Sequence, residues 1–174
     1  MSSNESSTTD QQPVIRCDSV FKIFGDKAKE MLAGVDGSNV NTKAFQEAGC
    51  IVGVNNASFD VARGEKLIIM GLSGSGKSTL LRCISRLTDA TAGRIFIEGQ
   101  DLLAMTNKQL IEIRREKMGM VFQSFALLPH KTVLENIAFP LQVKGVRTQE
   151  SIKKAMDMVE LVGLRGRENY FPRQ

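Results

Sequence analysis

The run Gly71-Leu72-Ser73-Gly74-Ser75-Gly76-Lys77-Ser78 fits G-x-x-x-x-G-K-[ST] at every fixed position. Glycines there let the backbone curl so that successive N–H groups point inward, a shape that a row of β-carbons would obstruct. A helix opening at Lys77 adds roughly half a positive charge and unpaired donors. On this pattern Lys77 reaches the β- and γ-phosphates of a nucleotide, and the Ser78 hydroxyl takes one site on Mg²⁺. The chemistry implied is binding of a nucleoside triphosphate. By itself the loop does not choose among kinases, GTPases and transport ATPases.

Such a loop needs a strand before it and a helix after it. The apolar run Lys66 to Met70 predicts a buried strand, and Leu80, Leu81, Ile84 and Leu87 recur at helical spacing over Lys77 to Leu87. Upstream, Val14 to Cys17 and Val20 to Phe24 are β-branched and aromatic, and read as strand pieces closed by Gly25-Asp26. Lys27 to Leu32 and Thr42 to Glu47 predict two short helices around the polar, Gly-rich piece Gly34 to Asn41. The β pattern resumes at Ile51 and alternates through Ala57 to Val61, before a turn at Arg63-Gly64-Glu65. Beyond the loop, Arg94 to Ile97 predicts a strand, Asn107 to Lys117 a helix and Met118 to Phe122 a further strand. Thr132 to Val143 and Gln149 to Val162 predict amphipathic helices with Thr132 and Thr148 as N-caps. Pro140 should kink or shorten the first of them. The class is α/β.

Composition narrows the alternatives. The 174 residues carry a formal net charge of +4, with 42% hydrophobic and 24% charged residues, which are ordinary globular values. A mild basic excess without a long Lys/Arg run gives no argument for a nucleic-acid partner. Three dispersed cysteines, Cys17, Cys50 and Cys83, make neither a disulfide framework nor a metal cluster, and are expected reduced and mostly buried. No stretch approaches the roughly 18 apolar residues of a membrane helix. Residues 1–12 are Ser/Thr/Asn/Gln-rich, lack a signal-peptide pattern, and are expected to form a disordered tail. His130, the only histidine, follows a Leu-Pro turn and reads as a loop residue, not a catalytic group. Met105, Met118, Met120, Met156 and Met158 are expected to pack in the core.

Beyond the minimal pattern, Gly71 to Thr79 resembles the phosphate loop of ATP-binding cassette (ABC) transporter ATPases. Ala92 to Asp101 matches that family's G-x-I-x-x-x-G strand and turn. Met120 to His130 resembles its Q-loop, Thr132 to Ile137 the helix start that follows, and Leu161 to Leu164 the end of its helical subdomain. The likeness runs from about Pro13 to the last residue. It implies a P-loop NTPase of ABC ATPase type: an antiparallel β subdomain, a partial RecA-like core and the start of a helical subdomain over 124–165. It also implies roles: Ser73, Gly74, Ser75 and Thr79 complete the phosphate cradle. Phe24 stands where the family places an aromatic on adenine, and a ring can add about 1 kcal/mol of stacking beyond burial. Gln123 matches the glutamine that touches Mg²⁺ and the attacking water, so Lys77 and Gln123 are the candidate catalytic residues. The helical insertion over 26–50, with Ala48 to Phe59 after it, resembles importers of quaternary amines such as glycine betaine, choline and proline betaine. The resemblance then implies ATP and Mg²⁺ as cofactors. Its implied partners are integral-membrane permease subunits, a second ATP-binding subunit and, indirectly, a solute-binding protein, at the cytoplasmic face of the inner membrane.

The family's Leu-Ser-Gly-Gly signature, its apolar strand ending in Asp-Glu and its switch histidine do not occur among these residues. We therefore expect a truncated domain, from a partial sequence or an interrupted gene, that folds marginally, binds Mg·ATP weakly and turns over little. Missing transition-state partners in related enzymes cost roughly 10³–10⁵ in rate. The competing readings are a catalytically inactive nucleotide-binding fragment, a non-transport ABC ATPase and, more remotely, a small-molecule kinase, which would need an acceptor site and a lid.

Overall fold

In the computed structural model, residues 12–35, 40–123 and 126–174 are described. The expected tail over 1–12 lies almost wholly outside them. So do four residues of the Gly-rich piece, and Ser124 and Phe125 of the Q-loop-like run.

Strand β1 (Ile15–Phe24) is followed by helices α1 (Ala28–Ala33) and α2 (Thr42–Glu47), then strand β2 (Ile51–Val61). Helix α3 (Lys77–Ile84) follows the glycine loop, and β3 (Ala92–Ile97), β4 (Gln100–Asp101) and α4 (Asn107–Glu116) come next. The chain separates into two units, Met1–Glu116 and Lys117–Gln174. The second contains α5 (Val133–Val143) and α6 (Thr148–Leu161).

The sheet of the first unit has the order β2-β1-β3-β4, antiparallel throughout. The two strand pieces expected before Gly25 are one strand, β1, which pairs Cys17 with both Phe59 and Ile95. Its register shifts between Cys17 and Val20, where Ser19 takes φ 48 and its N–H donates to Ser58 Oγ at 2.9 Å. Arg16 holds Asp60 across the β1–β2 pair with two 2.8 Å hydrogen bonds, and so keeps that carboxyl below its usual range. One core cluster joins Phe21, Ile23, Ala28, Val40, Phe45 and Cys50, so the α1–α2 excursion folds down onto the sheet. Leu80 and Cys83 of α3 are buried, and that helix packs on β1 and β2.

Several expectations need correction. Lys66 to Met70 is not a buried strand: it has no regular structure, and Ile68 and Met70 are 74% and 84% exposed. Met118 to Phe122 likewise forms no strand, and Val121 is fully exposed. An apolar run becomes a strand only when a neighbour takes its backbone hydrogen bonds and a layer covers its faces. Among the described residues neither run has a strand partner. For the same reason Leu81 and Leu87 stay exposed, and the buried stripe of α3 is Leu80 with Cys83. Helix α3 ends at Ile84, three residues early. The Ser85 hydroxyl donates to the Leu81 and Arg82 carbonyls and competes with the helical ladder. Met120, Met156 and Met158 are substantially exposed, so they are not core residues.

In the second unit, α5 is not shortened at Pro140 and runs on to Val143. Its first N–H groups are fully matched: Val133 to the Tyr170 carbonyl at 2.8 Å, Leu134 to that of Glu168 at 3.0 Å, and Glu135 to Thr132 Oγ1 at 3.3 Å. Thr132 and Glu135 form a reciprocal capping box, as the sequence predicts for Thr132. Thr148 is instead the first residue of α6, with Arg147 at the cap. Ala138, Ser151, Ala155 and Val159 are buried as α5 packs on α6. The buried Ser151 hydroxyl is satisfied by the Thr148 carbonyl at 2.8 Å.

Candidate functional site

The glycine loop is built around its lysine. Lys77 Nζ donates to the carbonyls of Gly71 at 2.9 Å and Leu72 at 2.7 Å, and lies 3.3 Å from Ser75 Oγ. The Ser75 N–H closes a turn onto Leu72 O at 3.2 Å. Gly76 sits at φ 90 as the left-handed N-cap of α3, and its carbonyl accepts from Leu80 N at 2.8 Å. Lys77, Ser78 and Thr79 therefore form the first helical turn, whose N–H groups have no acceptor within the helix. Ser73 and Ser78 are exposed, while Lys77 and Thr79 are half-buried. A ring of backbone groups, a cation and two accessible hydroxyls can receive an oxyanion of two or three phosphates.

One residue outside the motif fixes the loop against the sheet. A side chain at Gly76 would run into the Gly53 carbonyl of β2. A Cβ at Gly53 would in turn lie 2.9 Å from Phe24 Cε2 and 3.1 Å from Thr79 Cγ2. Gly53 is thus the point where β1, β2 and the glycine loop close on one another, and it places Phe24 beside Thr79. Phe24 is 43% exposed at the end of β1, opposite Ile51 in register, with Lys22 Nζ 4.8 Å from its ring centre. A half-open ring can stack on a flat base.

The loop faces a cleft of about 430 Å³. Gly71, Gly74 to Lys77 and Leu80 line it on one side, and Gly53, Val54 and Asn55 of β2 on another. Thr42 of α2 lines it as well. The motif did not single out Thr42, Gly53 or Asn55. A glycine inside an otherwise β-branched strand was the one available signal for Gly53, since such a glycine marks a close backbone approach.

Gln123 belongs to the second unit, where it is exposed at a bend. His130 lies exposed in a turn. All three cysteines are free and buried, as the sequence predicts. Burial, reinforced by Cys83 and Asp60, pushes the Cys17 thiol up to about 12. Burial raises Cys83 too, against the opposing charge of Lys22. Among the described residues no group of three or more His, Cys, Asp and Glu could hold a metal ion, and no helix is long and apolar enough to cross a membrane.

Residues 54–171 match the family described as ABC transporter. The chain belongs to the ABC transporter family. It is 74% identical over 162 residues to the trimethylamine N-oxide transport system ATP-binding protein TmoW of Pelagibacter ubique (strain HTCC1062), an alignment covering 93% of this chain and 47% of that protein. It is 45% identical over 168 residues to the glycine betaine transport ATP-binding protein OpuAA of Bacillus subtilis (strain 168), covering 96% of this chain and 40% of that protein. The chain therefore spans less than half the length of these two ABC relatives. A solved structure of the ATP-binding cassette MJ0796, dimeric and in a post-hydrolysis state with ADP and Pi, superposes with a TM-score of 0.72 at 30% identity. That superposition covers 92% of this chain and 62% of the other. The architecture is accordingly that of an ABC ATPase cassette, mixed α/β with an antiparallel sheet, spanning part of its neighbours' length.

Proposed function

We propose that this chain supplies the ATP-cradling part of an ABC importer subunit that couples ATP binding and hydrolysis to uptake of a small methylated amine. The observation that carries the nucleotide reading is the lysine-centred glycine loop, held by Gly53 beside the half-exposed Phe24 ring. In this reading Gly71 and Ser73 to Thr79 hold the phosphates. Lys77 neutralises the β- and γ-phosphates, and Phe24 stacks on adenine. Ser78 Oγ, exposed at the first turn of α3, is a hard oxygen donor that, with phosphate oxygens, would hold Mg²⁺, which would supply charge neutralisation on the phosphates. Gln123 enters this reading only through the family resemblance, as a neutral amide oxygen exposed in the second unit.

For the solute, the relatives named for trimethylamine N-oxide and glycine betaine support a quaternary amine or an amine N-oxide. The 74% identity favours the N-oxide over the betaine. The partners in this reading are two membrane permease subunits, a second copy of the ATP-binding subunit and, indirectly, a solute-binding protein. The working place is the cytoplasmic face of the membrane. Residues 1–174 contain no Leu-Ser-Gly-Gly and no apolar run ending in Asp-Glu. In this reading they supply the phosphate cradle and Gln123 but neither the general base nor the signature, so this segment binds Mg·ATP with little turnover.

The test has two arms. Calorimetric titration with Mg·ATP should show saturable binding that Lys77→Ala weakens at least tenfold, and absence of binding in the parent protein sinks the nucleotide reading. Disruption of the gene in its host should abolish uptake of labelled trimethylamine N-oxide. Unchanged uptake of both the N-oxide and glycine betaine would overturn the transport reading while leaving ATP binding intact.

A further inference from the structure

We propose that the start of helix α2 forms part of the wall of the nucleotide cleft, and that the Thr42 side chain contacts the sugar–phosphate part of the bound nucleoside triphosphate. The inference rests on the reading of that cleft as the nucleotide site.

Thr42 lines the same cleft as Gly71, Gly74 to Lys77 and Gly53, although it lies far from the glycine loop in sequence. Its position is fixed from three sides. Asn55 of β2, itself a lining residue, accepts from Val40 N at 2.9 Å and donates to Val40 O at 3.4 Å, clasping the chain just before α2 to the strand beside the loop. Asn41 caps α2 by accepting from Lys43 N and Ala44 N. Phe45, one turn on, is 3% exposed in the cluster with Phe21, Ile23 and Cys50, which anchors the far face of the helix. An exposed threonine carried on so constrained a turn loses little further entropy when it meets a ligand in the cleft. That hydroxyl offers one donor and two acceptors. It suits phosphate oxygens or sugar hydroxyls and carries no charge to repel either. The contact proposed is one made by this side chain, not by the terminus of a six-residue helix. Gly53 gives the wall a mechanical link to the loop, because Gly76 abuts its carbonyl two residues before Asn55.

The experiment titrates Mg·ATP, and a non-hydrolysable ATP analogue, into the purified protein and into Thr42→Glu, Thr42→Val, Lys43→Glu and Lys77→Ala, with thermal melts of each. Thr42→Glu should weaken binding at least tenfold by placing a carboxylate against the phosphates. Thr42→Val, which keeps the shape and removes only the hydroxyl, should weaken it about threefold. Lys43→Glu changes the charge by twice as much, but Lys43 does not line the cleft, and it should stay within twofold of the parent. If Lys77→Ala loses binding while both Thr42 variants bind as the parent does, the inference is overturned and the nucleotide reading stands. If Lys43→Glu weakens binding as much as Thr42→Glu, the effect is long-range charge, and the inference again falls. If the parent binds no nucleotide, both fall together. Thr42→Val keeps the test decisive should Thr42→Glu unfold.

Discussion

Lys77 is the peg around which the glycine loop closes, because its ammonium holds the Gly71 and Leu72 carbonyls, and the proposed function makes it a phosphate ligand as well. Removing it should cost more than one charge–charge contact. Charge-assisted hydrogen bonds are worth about 1.5–3 kcal/mol each, so Lys77→Ala should lower Mg·ATP affinity by roughly 10- to 100-fold. Lys77→Arg should fail to restore it, since a planar fork cannot replace a compact ammonium inside a closed ring. Gly53 makes a sharper case. An added methyl would press on Phe24 and on Thr79 together, and overpacking of this kind costs about 1–3 kcal/mol. Gly53→Ala should therefore lower both the melting temperature and the nucleotide affinity. A variant that melts earlier but binds ATP normally would show that Gly53 serves the sheet alone.

At the scale of elements, the ends of the helices and the buried thiols give the readable consequences. Thr132→Ala removes the N-cap of α5 and should destabilise it by about 1 kcal/mol, measurable as a shift in urea midpoint at constant slope. The backbone N–H of Thr132, donated at 2.8 Å, keeps the Glu135 carboxyl below its usual range. A lowered folded-state value means stabilisation that is present above the free glutamate's pKa of about 4.3 and is lost as the pH falls through the folded value. Glu135→Gln should flatten that acid limb. Cys17 has the opposite sign. With its thiol pushed up to about 12, its contribution is complete below the free thiol's pKa of about 8.5, and is lost as the pH climbs toward the folded value. Native protein at pH 8 should leave Cys17, Cys50 and Cys83 unlabelled by a disulfide thiol reagent, with all three reacting in denaturant. Rapid labelling without denaturant would mean that the cluster around Cys50 or the β1–α3 contact opens locally.

At the scale of the whole molecule, the exposed apolar runs at 67–72 and 119–122 are, among the described residues, segments without regular structure that a protease reaches early. Chymotrypsin should cut there before it touches β1, β2, α5 or α6, and saturating Mg·ATP should protect the first run, which leads into the phosphate loop. At a ligand concentration 100 times Kd the bound state gains about 2.7 kcal/mol, enough to be read in the same proteolysis series. Early cleavage inside α5 would contradict the capping and packing described for it. The turn of the glycine loop into α3 was legible in the sequence, because its requirements are local. The glycines, the lysine and the helix that follows lie within nine residues, and their φ requirements and charge leave no alternative shape. The two short helices before Cys50 were legible for the same reason, from near-neighbour pattern and, for α2, its Asn41 cap. The fates of Lys66 to Met70 and Met118 to Phe122 were not legible, since an apolar run states only that it needs cover. Whether a partner strand provides that cover is a long-range fact. The meeting of Thr42, Gly53 and Asn55 with the loop was likewise decided only in three dimensions, where sheet pairing and the Val40–Asn55 clasp bring distant residues to one cleft.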